Sequence, residues 1–143
     1  MKATRWLVTA VAAGVFWVGC GGGEAPSLDT RTAVLLTAEQ RNAVLGEMRT
    51  MLASVNGVLG AAAKADSAGI HGAAKASGSA AAADPALEKL LPAQWLQLAM
   101  QTHQGFDGLA ASAGAGRDTV VARLGAITTN CVTCHAMYRL AVR

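Results

Sequence analysis

The stretch from Thr37 to Lys64, TAEQRNAVLGEMRTMLASVNGVLGAAAK, carries the clearest periodicity in this 143-residue chain. Its larger apolar residues recur at alternating steps of three and four, which places them on one face of a helix roughly 37 Å long. The members of this stripe are Leu45, Met48, Leu52, Val55, Leu59 and Ala62. Thr37 and Gln40 have the spacing of a capping box, so the helix is predicted to begin directly after Thr37. We call this predicted element helix A and expect its stripe to face inward.

Three further helices are predicted after helix A. Asp66 to Ser77 forms a weaker helix B, with Asp66 as its N-cap and two glycines that lower its helix propensity. Pro92 suits the first turn of helix C, and the break AGAGRD at residues 113–118 separates helix C from helix D, which runs to about Val142. The inward stripe of helix C is Trp95, Ala99, Thr102, Phe106, Leu109 and Ala113, flanked by Met100. The stripe of helix D is Val120, Leu124, Ile127, Cys131, Cys134, Tyr138 and Ala141.

The pattern of the whole chain predicts an all-α fold. No segment alternates apolar and polar residues with a period of two over a useful length, so we expect no strands. Four helices with apolar stripes and mostly short turns are typical of an antiparallel four-helix bundle, here over residues 34–143.

The N-terminus has the features of an export signal. Lys2 and Arg5 precede an apolar run at residues 6–19, which is shorter than the ~20 residues that a membrane span needs and is typical of a secretory signal peptide. The run ends in VGC at Cys20 and resembles a bacterial lipobox, although Trp17 stands where leucine is usual. We therefore expect residues 1–19 to be a lipoprotein signal peptide, Cys20 to be lipidated and residues 20–33 to be a flexible tether. The alternative is an ordinary signal peptide with an incidental cysteine.

Charge and the residue after Cys20 bear on location and partners. Gly21 follows Cys20; in the lipoproteins that the motif resembles, aspartate at this place favours retention in the inner membrane. We expect a lipid-anchored protein on the periplasmic side of a bacterial membrane, with the outer membrane slightly favoured.

The net charge of the chain is small. The whole chain carries +3; without Lys2 and Arg5, ten basic and nine acidic residues leave +1. No basic stripe with interleaved aromatics is present, so we expect no nucleic-acid partner.

The stretch NCVTCHAMYR at residues 130–139 carries the chemistry. Cys131 and Cys134 are three residues apart, so a helix presents both sulfurs on one face, where they can form thioethers with the vinyl groups of a porphyrin. His135 follows directly and can ligate the iron, which makes CVTCH the attachment signature of a single covalent haem c. Three alternative interpretations of the cysteine pair fit the sequence less well. A redox dithiol normally follows a strand, and none is predicted before Cys131. A zinc site needs four ligands, and the sequence has no second cluster of Cys or His; a disulfide within one helix has poor geometry.

The position of this motif on the last helix resembles the class II c-type cytochromes, namely cytochrome c′ and its low-spin relatives. Those proteins are four-helix bundles whose haem is bound through CXXCHXXYR on the fourth helix, and the match covers Cys131, Cys134, His135, Tyr138 and Arg139. The resemblance implies a haem on the C-terminal helix and places Arg139 near its proximal face. The alternative for Arg139 is an ordinary surface cation near a helix end.

In that family helix A supplies the residue on the other side of the iron. A methionine there gives six-coordinate, low-spin iron, whereas an apolar residue leaves the iron open to nitric oxide or carbon monoxide. Matching Arg41 to the helix-A arginine of the family puts Leu45 over the iron. The shorter connection between helices A and B moves the register one turn, to Met48, which we favour; Met51 lies a further turn along.

Three other side chains remain candidates for the haem environment. His103, in MQTHQGFD, is a competing iron ligand, and the alternative is a half-exposed polar side chain. Trp95 and Phe106 are either core aromatics or residues that also pack against the haem.

The sequence therefore predicts a monohaem c-type cytochrome that exchanges single electrons with redox partner proteins, with iron held by His135 and Met48. No acid–base pair or nucleophile is evident, so we expect no enzymatic activity. One alternative is a five-coordinate haem protein that binds nitric oxide or carbon monoxide, and another is a structural lipoprotein in which CVTCH is incidental. Class II relatives often dimerise through helices A and B, so a homodimer is also open.

Overall fold

The computed structural model describes residues 28–82 and 85–143, and these residues are mostly helical. The expected signal peptide, Cys20 and most of the expected tether lie outside this range. In chain order the elements are β1 Thr32–Leu36, α1 Ala38–Ala63, α2 Ser67–Lys75, a 3₁₀ turn Ser79–Ala81, α3 Pro85–Glu88, α4 Ala93–Ala111, α5 Arg117–Met137 and β2 Tyr138–Val142. The predicted helices A, B, C and D correspond to α1, α2, α4 and α5.

The helix starts follow from local chemistry. Thr37 Oγ1 accepts from the Gln40 backbone N–H at 3.2 Å, and Gln40 Oε1 accepts from the Thr37 N–H at 2.9 Å, so the predicted capping box is confirmed. The Asp66 carboxylate caps α2 by accepting from the Gly69 N–H at 2.9 Å. Gly116 precedes α5 with φ at +90°, a backbone conformation that favours glycine.

The main core lies between α1, α2, α4 and α5. α1 packs on α2 and α5, and α4 packs on the same two helices. The fully buried centre of this main core includes Val58, Phe106, Leu109 and Val120. A second cluster of buried residues lies around the two strands and the start of α4, and its members are Val34, Leu36, Val44, Leu87, Trp95 and Tyr138. Met48 and Cys134 pack against this second cluster, which therefore adjoins the predicted haem motif.

The expectation that the whole stripe of helix A faces inward is wrong for two residues. Leu52 is 68% exposed and Leu59 is 46% exposed. The buried residues of α1 are instead Val44, Ser54, Val58 and Ala62. Apolar residues occur on two adjacent ridges of α1, and the Val44–Val58 ridge is the one that packs against the core. The ridge of Leu45 and Leu52 borders the cavity described below.

The chain is mostly helical, as expected, but two finer expectations are wrong: that it forms no strands and that helix D runs to about Val142. α5 ends at Met137, and the last residues form β2, which pairs in parallel with β1 in a two-stranded sheet within the described chain. The register joins Thr32 to Tyr138 and Leu36 to Val142. Sheet pairing gives both segments backbone partners, and burial of Val34 and Leu36 adds apolar stabilisation. Ordered pairing starts at Thr32, just inside the segment expected to be tether.

The close approach of α1 and α2 gives a first prediction. A Cβ at Gly57 would lie 2.9 Å from the Ala73 Cβ, a contact that forces the two backbones apart. We expect Gly57→Ala to lower the free energy of unfolding by about 1–3 kcal/mol, as overpacking does. Gly60, one turn further along α1, has no atom within 4 Å of a built Cβ. Gly60→Ala is therefore the matched control and should raise stability by about 0.5–1 kcal/mol. Urea unfolding measures both, and equal effects of the two variants would refute the close approach.

Candidate cofactor site

An apolar cavity of about 360 Å³ lies between α1, α4 and α5. This volume falls in the usual range of about 300–1,000 Å³ for small-molecule and cofactor sites. Eight of the residues named from the sequence as candidates for the haem site line it, and they come from all three helices: Leu45, Met48, Met51, Trp95, Phe106, Cys131, Cys134 and His135. Tyr138 and Arg139 do not line it. The structure therefore brings residues 90 positions apart in sequence to one apolar space.

The two cysteines form part of the wall contributed by α5. Both are half-buried free thiols, and the Cys131 Sγ donates weakly to the Ile127 carbonyl at 3.8 Å. Burial raises the pKa of Cys131, and it raises the pKa of Cys134 to about 11, with the neighbouring Cys131 adding to the effect. Both thiols are therefore protonated at neutral pH. Reactive redox dithiols instead have a cysteine whose pKa is lowered, so this environment disfavours the dithiol interpretation.

His135 lies at the edge of the same cavity, one residue after Cys134. Its side chain is exposed, although it contributes to the lining. α5 ends two residues later, so its last carbonyls, including that of His135, have no partner within the helix. The imidazole is therefore carried on the final turn of α5, next to both thiols.

The wall contributed by α1 contains every distal candidate named from the sequence. Leu45, Met48 and Met51 all line the cavity, together with Leu52 and Val55. Met48 also packs against the second cluster, whereas Met51 packs against the main core and borders a separate cavity. This wall offers two thioether sulfurs among aliphatic side chains. Leu52, which is 68% exposed, belongs to this wall.

Two aromatic residues of α4, Trp95 and Phe106, line the cavity. Trp95 is 6% exposed, and Phe106 is completely buried. The Trp95 ring contacts the Tyr138 ring with centroids 5.5 Å apart and planes tilted by 58°, a favourable aromatic geometry. Tyr138 therefore supports the cavity through Trp95 rather than lining it.

A cluster of charged side chains contacts the backbone at the C-terminal end of α5. Arg31 Nη1 donates to the His135 carbonyl at 3.1 Å and to the Tyr138 carbonyl at 3.5 Å. Asp29 forms an ion pair with Arg31 at 2.6 Å, and hydrogen bonds from Arg31 hold the pKa of Asp29 at about 2. The Arg139 Nε lies 4.0 Å from Asp29 Oδ2; it is buried and has no hydrogen-bond partner within residues 28–82 and 85–143.

The contacts of Asp29 and Arg31 were not predicted from the sequence. Both fall in the segment assigned to a tether because SLDTRT reads as polar and irregular. Burial alternates along β1, where Val34 and Leu36 are buried and Leu35 is 56% exposed, but the sequence TAVLL does not alternate apolar and polar residues. A short apolar run of this kind cannot be distinguished from a loop or a buried helix segment by periodicity alone.

His103 is not half-exposed, as its alternative reading expected, but buried at 4% exposure. Its Nε2 donates to Glu47 Oε1 at 2.8 Å, and its Nδ1 donates to the Ser77 carbonyl at 2.9 Å. Both ring nitrogens are thus occupied, and the side chain lines a separate cavity of about 300 Å³. The pairing with Glu47 of α1 explains the burial and leaves no free nitrogen on His103 for a metal in this conformation.

The His103–Glu47 pair predicts how stability depends on pH. The hydrogen bond from Glu47 raises the pKa of His103 above its ordinary 6.5, against the opposing effect of burial. A raised folded-state pKa contributes stability that is complete below about pH 6.5 and is lost as pH rises through the folded value. We expect the urea midpoint to fall across this interval. His103→Gln should flatten this part of the profile, whereas the control His71→Gln, at an exposed histidine, should retain it. A profile equally steep in His103→Gln would contradict the assignment.

Other indications of function are few. In the part of the chain that the structure describes, no group of three or more His, Cys, Asp or Glu residues is placed to hold a metal ion. None of the helices there combines the length and the hydropathy needed to cross a membrane. The chain matches no protein-family model, and no curated protein or solved structure shows significant similarity to it. The CVTCH motif and the cavity that it borders are therefore the features of this chain that indicate a function.

Proposed function

We propose that this protein is a monohaem c-type cytochrome that carries single electrons. The observation that supports this most strongly is that Cys131, Cys134 and His135 line the same apolar cavity as Met48. One haem c would be attached through thioether bonds to Cys131 and Cys134, with His135 and Met48 as iron ligands. When bound, the haem supplies a ferric–ferrous couple, so the protein needs no acid–base or nucleophilic group of its own.

The residues around the cavity fit a haem by their chemistry. Cys131 and Cys134 are free thiols, and addition of each S–H bond across the double bond of a vinyl group would form the two thioether bonds without an oxidant. Imidazole and thioether are established axial ligands of haem iron, and a His/Met pair raises the reduction potential. The remaining lining is mostly aliphatic and aromatic, which suits the apolar faces of a porphyrin and excludes water from them.

The packing of the helices supports the finer fold proposal, an antiparallel four-helix bundle of the cytochrome c′ type. α1, α2, α4 and α5 would be its four helices, and the contacts of α1 and α4 with both α2 and α5 are those of such an arrangement. The haem would then be bound to the C-terminal helix. The β1–β2 pair is an addition to this plan, because it ties the residues before α1 to the residues after α5.

The proposed location and partners follow from the N-terminal sequence. Cleavage before Cys20 and its lipidation would place the domain on the periplasmic side of a bacterial membrane, with the outer membrane favoured by Gly21. Its partners would be other redox proteins, and the protein itself would be neither an enzyme nor a nucleic-acid binder. The resemblance to class II cytochromes, which often dimerise through helices A and B, would also allow a homodimer.

A second candidate function has a specific observation in its favour. Leu45 lines the same wall as Met48, so a haem seated one helical turn away would face an aliphatic side chain. The iron would then be five-coordinate and would bind nitric oxide or carbon monoxide.

The absorption spectrum of the reduced protein, before and after addition of carbon monoxide, tests the proposal. Electron transfer through His135 and Met48 predicts a low-spin spectrum that carbon monoxide leaves unchanged. A spectrum that shifts readily with the gas would favour the second candidate. The complete absence of a Soret band from protein made in a haem-competent host would reject both.

A further inference from the structure

We propose that the Asp29–Arg31 pair is part of the haem site: it fixes the backbone of His135 and sets the local charge there. This inference rests on the proposed function. It concerns residues that precede β1, which the CVTCH motif does not predict and which the expected tether included. The pair is a positioning element, because it would act on the iron through His135 and does not line the cavity.

The guanidinium of Arg31 contacts two groups at once, the Asp29 carboxylate and the backbone at the end of α5. Nε and Nη2 donate to the two carboxylate oxygens of Asp29, at 2.9 and 2.6 Å. Nη1 points the other way and donates to the carbonyls of His135 and Tyr138. Such a planar, two-sided arrangement is specific to arginine, because the ammonium group of lysine cannot hold two partners in fixed directions.

One acceptor of Arg31, the His135 carbonyl, is a group that needs a partner. The last carbonyls of a helix have no intrahelical donor, and a cation at a helix C-terminus interacts favourably with the helix dipole. α5 ends at Met137, so the His135 carbonyl belongs to this set. Arg31 therefore caps the turn that carries the imidazole, from a segment 104 residues away in the sequence.

The parallel sheet fixes this contact in register. Thr32 pairs with Tyr138, so Arg31 directly precedes the first pair of the ladder. At the opposite end the Arg143 N–H donates to the Leu36 carbonyl at 3.0 Å. Because both ends of β1 are bonded to the chain after α5, Arg31 has a defined place relative to His135.

Because Asp29 and Arg31 carry opposite charges, removing each one should shift the midpoint potential of the haem in opposite directions. A positive charge near haem iron stabilises the ferrous state and a negative charge stabilises the ferric state. Arg31→Ala should therefore lower the midpoint potential, and Asp29→Asn should raise it. A role confined to chain packing would not give shifts of opposite sign, because each variant breaks the same ion pair.

The experiment compares the holoproteins of wild type, Arg31→Ala, Asp29→Asn and Arg117→Ala by potentiometric titration at low ionic strength. Arg117→Ala is the matched control: it also removes one positive charge, and Arg117 Nη2 likewise donates to a carbonyl at a helix end, that of Ala63 in α1. Its expected potential is that of wild type. The ferric electron paramagnetic resonance spectrum should change in Arg31→Ala, since freeing the His135 backbone alters the orientation of the imidazole, and should not change in Arg117→Ala.

Opposite shifts in Arg31→Ala and Asp29→Asn, with Arg117→Ala at the wild-type value, support the inference. Unchanged potentials, shifts of the same sign, or an effect on the unfolding midpoint alone overturn it. If Arg31→Ala yields no holoprotein, Asp29→Asn decides by itself: a raised potential supports the inference, and an unchanged or lowered one overturns it. A wild-type protein without covalent haem would instead refute the proposed function, which separates the two failures.

Discussion

Replacing Cys131 and Cys134 together by alanine is expected to abolish covalent haem attachment. The two sulfurs are the only thiols of the chain besides Cys20, and both lie in the wall of the apolar cavity. Without them a porphyrin retains only its axial ligands, which exchange and do not survive denaturation. The denatured variant should show no haem-associated peroxidase staining and no Soret absorbance, whereas the denatured wild type should show both.

The residues between the cysteines provide the matched control for this experiment. Val132 is 70% exposed and Thr133 is also exposed, so both point away from the cavity lining. Val132→Ala/Thr133→Ala changes the same helical turn by the same number of residues and should keep its covalent haem. Loss of haem in this control, or its retention in the double cysteine variant, would contradict attachment through Cys131 and Cys134.

Replacing Met48 by alanine is expected to convert a low-spin, gas-insensitive haem into one that binds carbon monoxide. Alanine has no sulfur, so the iron would lose its sixth ligand and accept an external one. The midpoint potential should also fall, because the thioether of a His/Met pair favours the ferrous state. Absorption spectra of the reduced variant with and without carbon monoxide, followed by a redox titration, measure both changes.

Two neighbouring substitutions distinguish Met48 from the other residues of the α1 wall. Met51→Ala removes the second thioether that lines the cavity, and Leu45→Ala removes an aliphatic side chain of the same wall. Both should leave the low-spin spectrum unchanged. Conversion by Met51→Ala instead of Met48→Ala would assign the ligand to Met51. A wild-type protein that already binds carbon monoxide would favour the arrangement in which Leu45 faces open iron.

The elements specified by neighbouring residues were predictable from the sequence. The start of α1 depends on a capping box between Thr37 and Gln40, and the start of α2 depends on Asp66, so each signal lies within four residues of its effect. The buried stripe of α4 through Trp95, Phe106 and Leu109 is confirmed because its large apolar residues keep one helical period.

The features that depend on distant partners were not predictable in the same way. β2 exists because residues 138–142 pair with β1, about 100 positions earlier, and nothing within YRLAV announces that partner. His103 is buried because Glu47 of α1 accepts its hydrogen bond. The exposed side of α1 was misassigned because small apolar residues occur around much of the helix, so periodicity did not choose between its two ridges.

For the candidate site, the motif was the predictable part and its surroundings were not. CVTCH predicts haem attachment because the spacing of its residues is a local feature, and the resemblance to class II cytochromes supplied Leu45, Met48 and Met51 as distal candidates. The structure places all three in one cavity with the motif. The contact of Arg31 with the His135 carbonyl depends on the pairing of two strands that were not predicted, so the contact could not be predicted from the sequence.

The mass of the tryptic peptide Leu124–Arg139 tests the central claim most directly. This peptide contains the whole CVTCH motif between two arginine cleavage sites. From protein exported by a haem-competent host, the account predicts a mass equal to the sixteen residues plus one haem, with neither cysteine open to alkylation. A peptide with the mass of its residues alone, and with two alkylatable thiols, would contradict it.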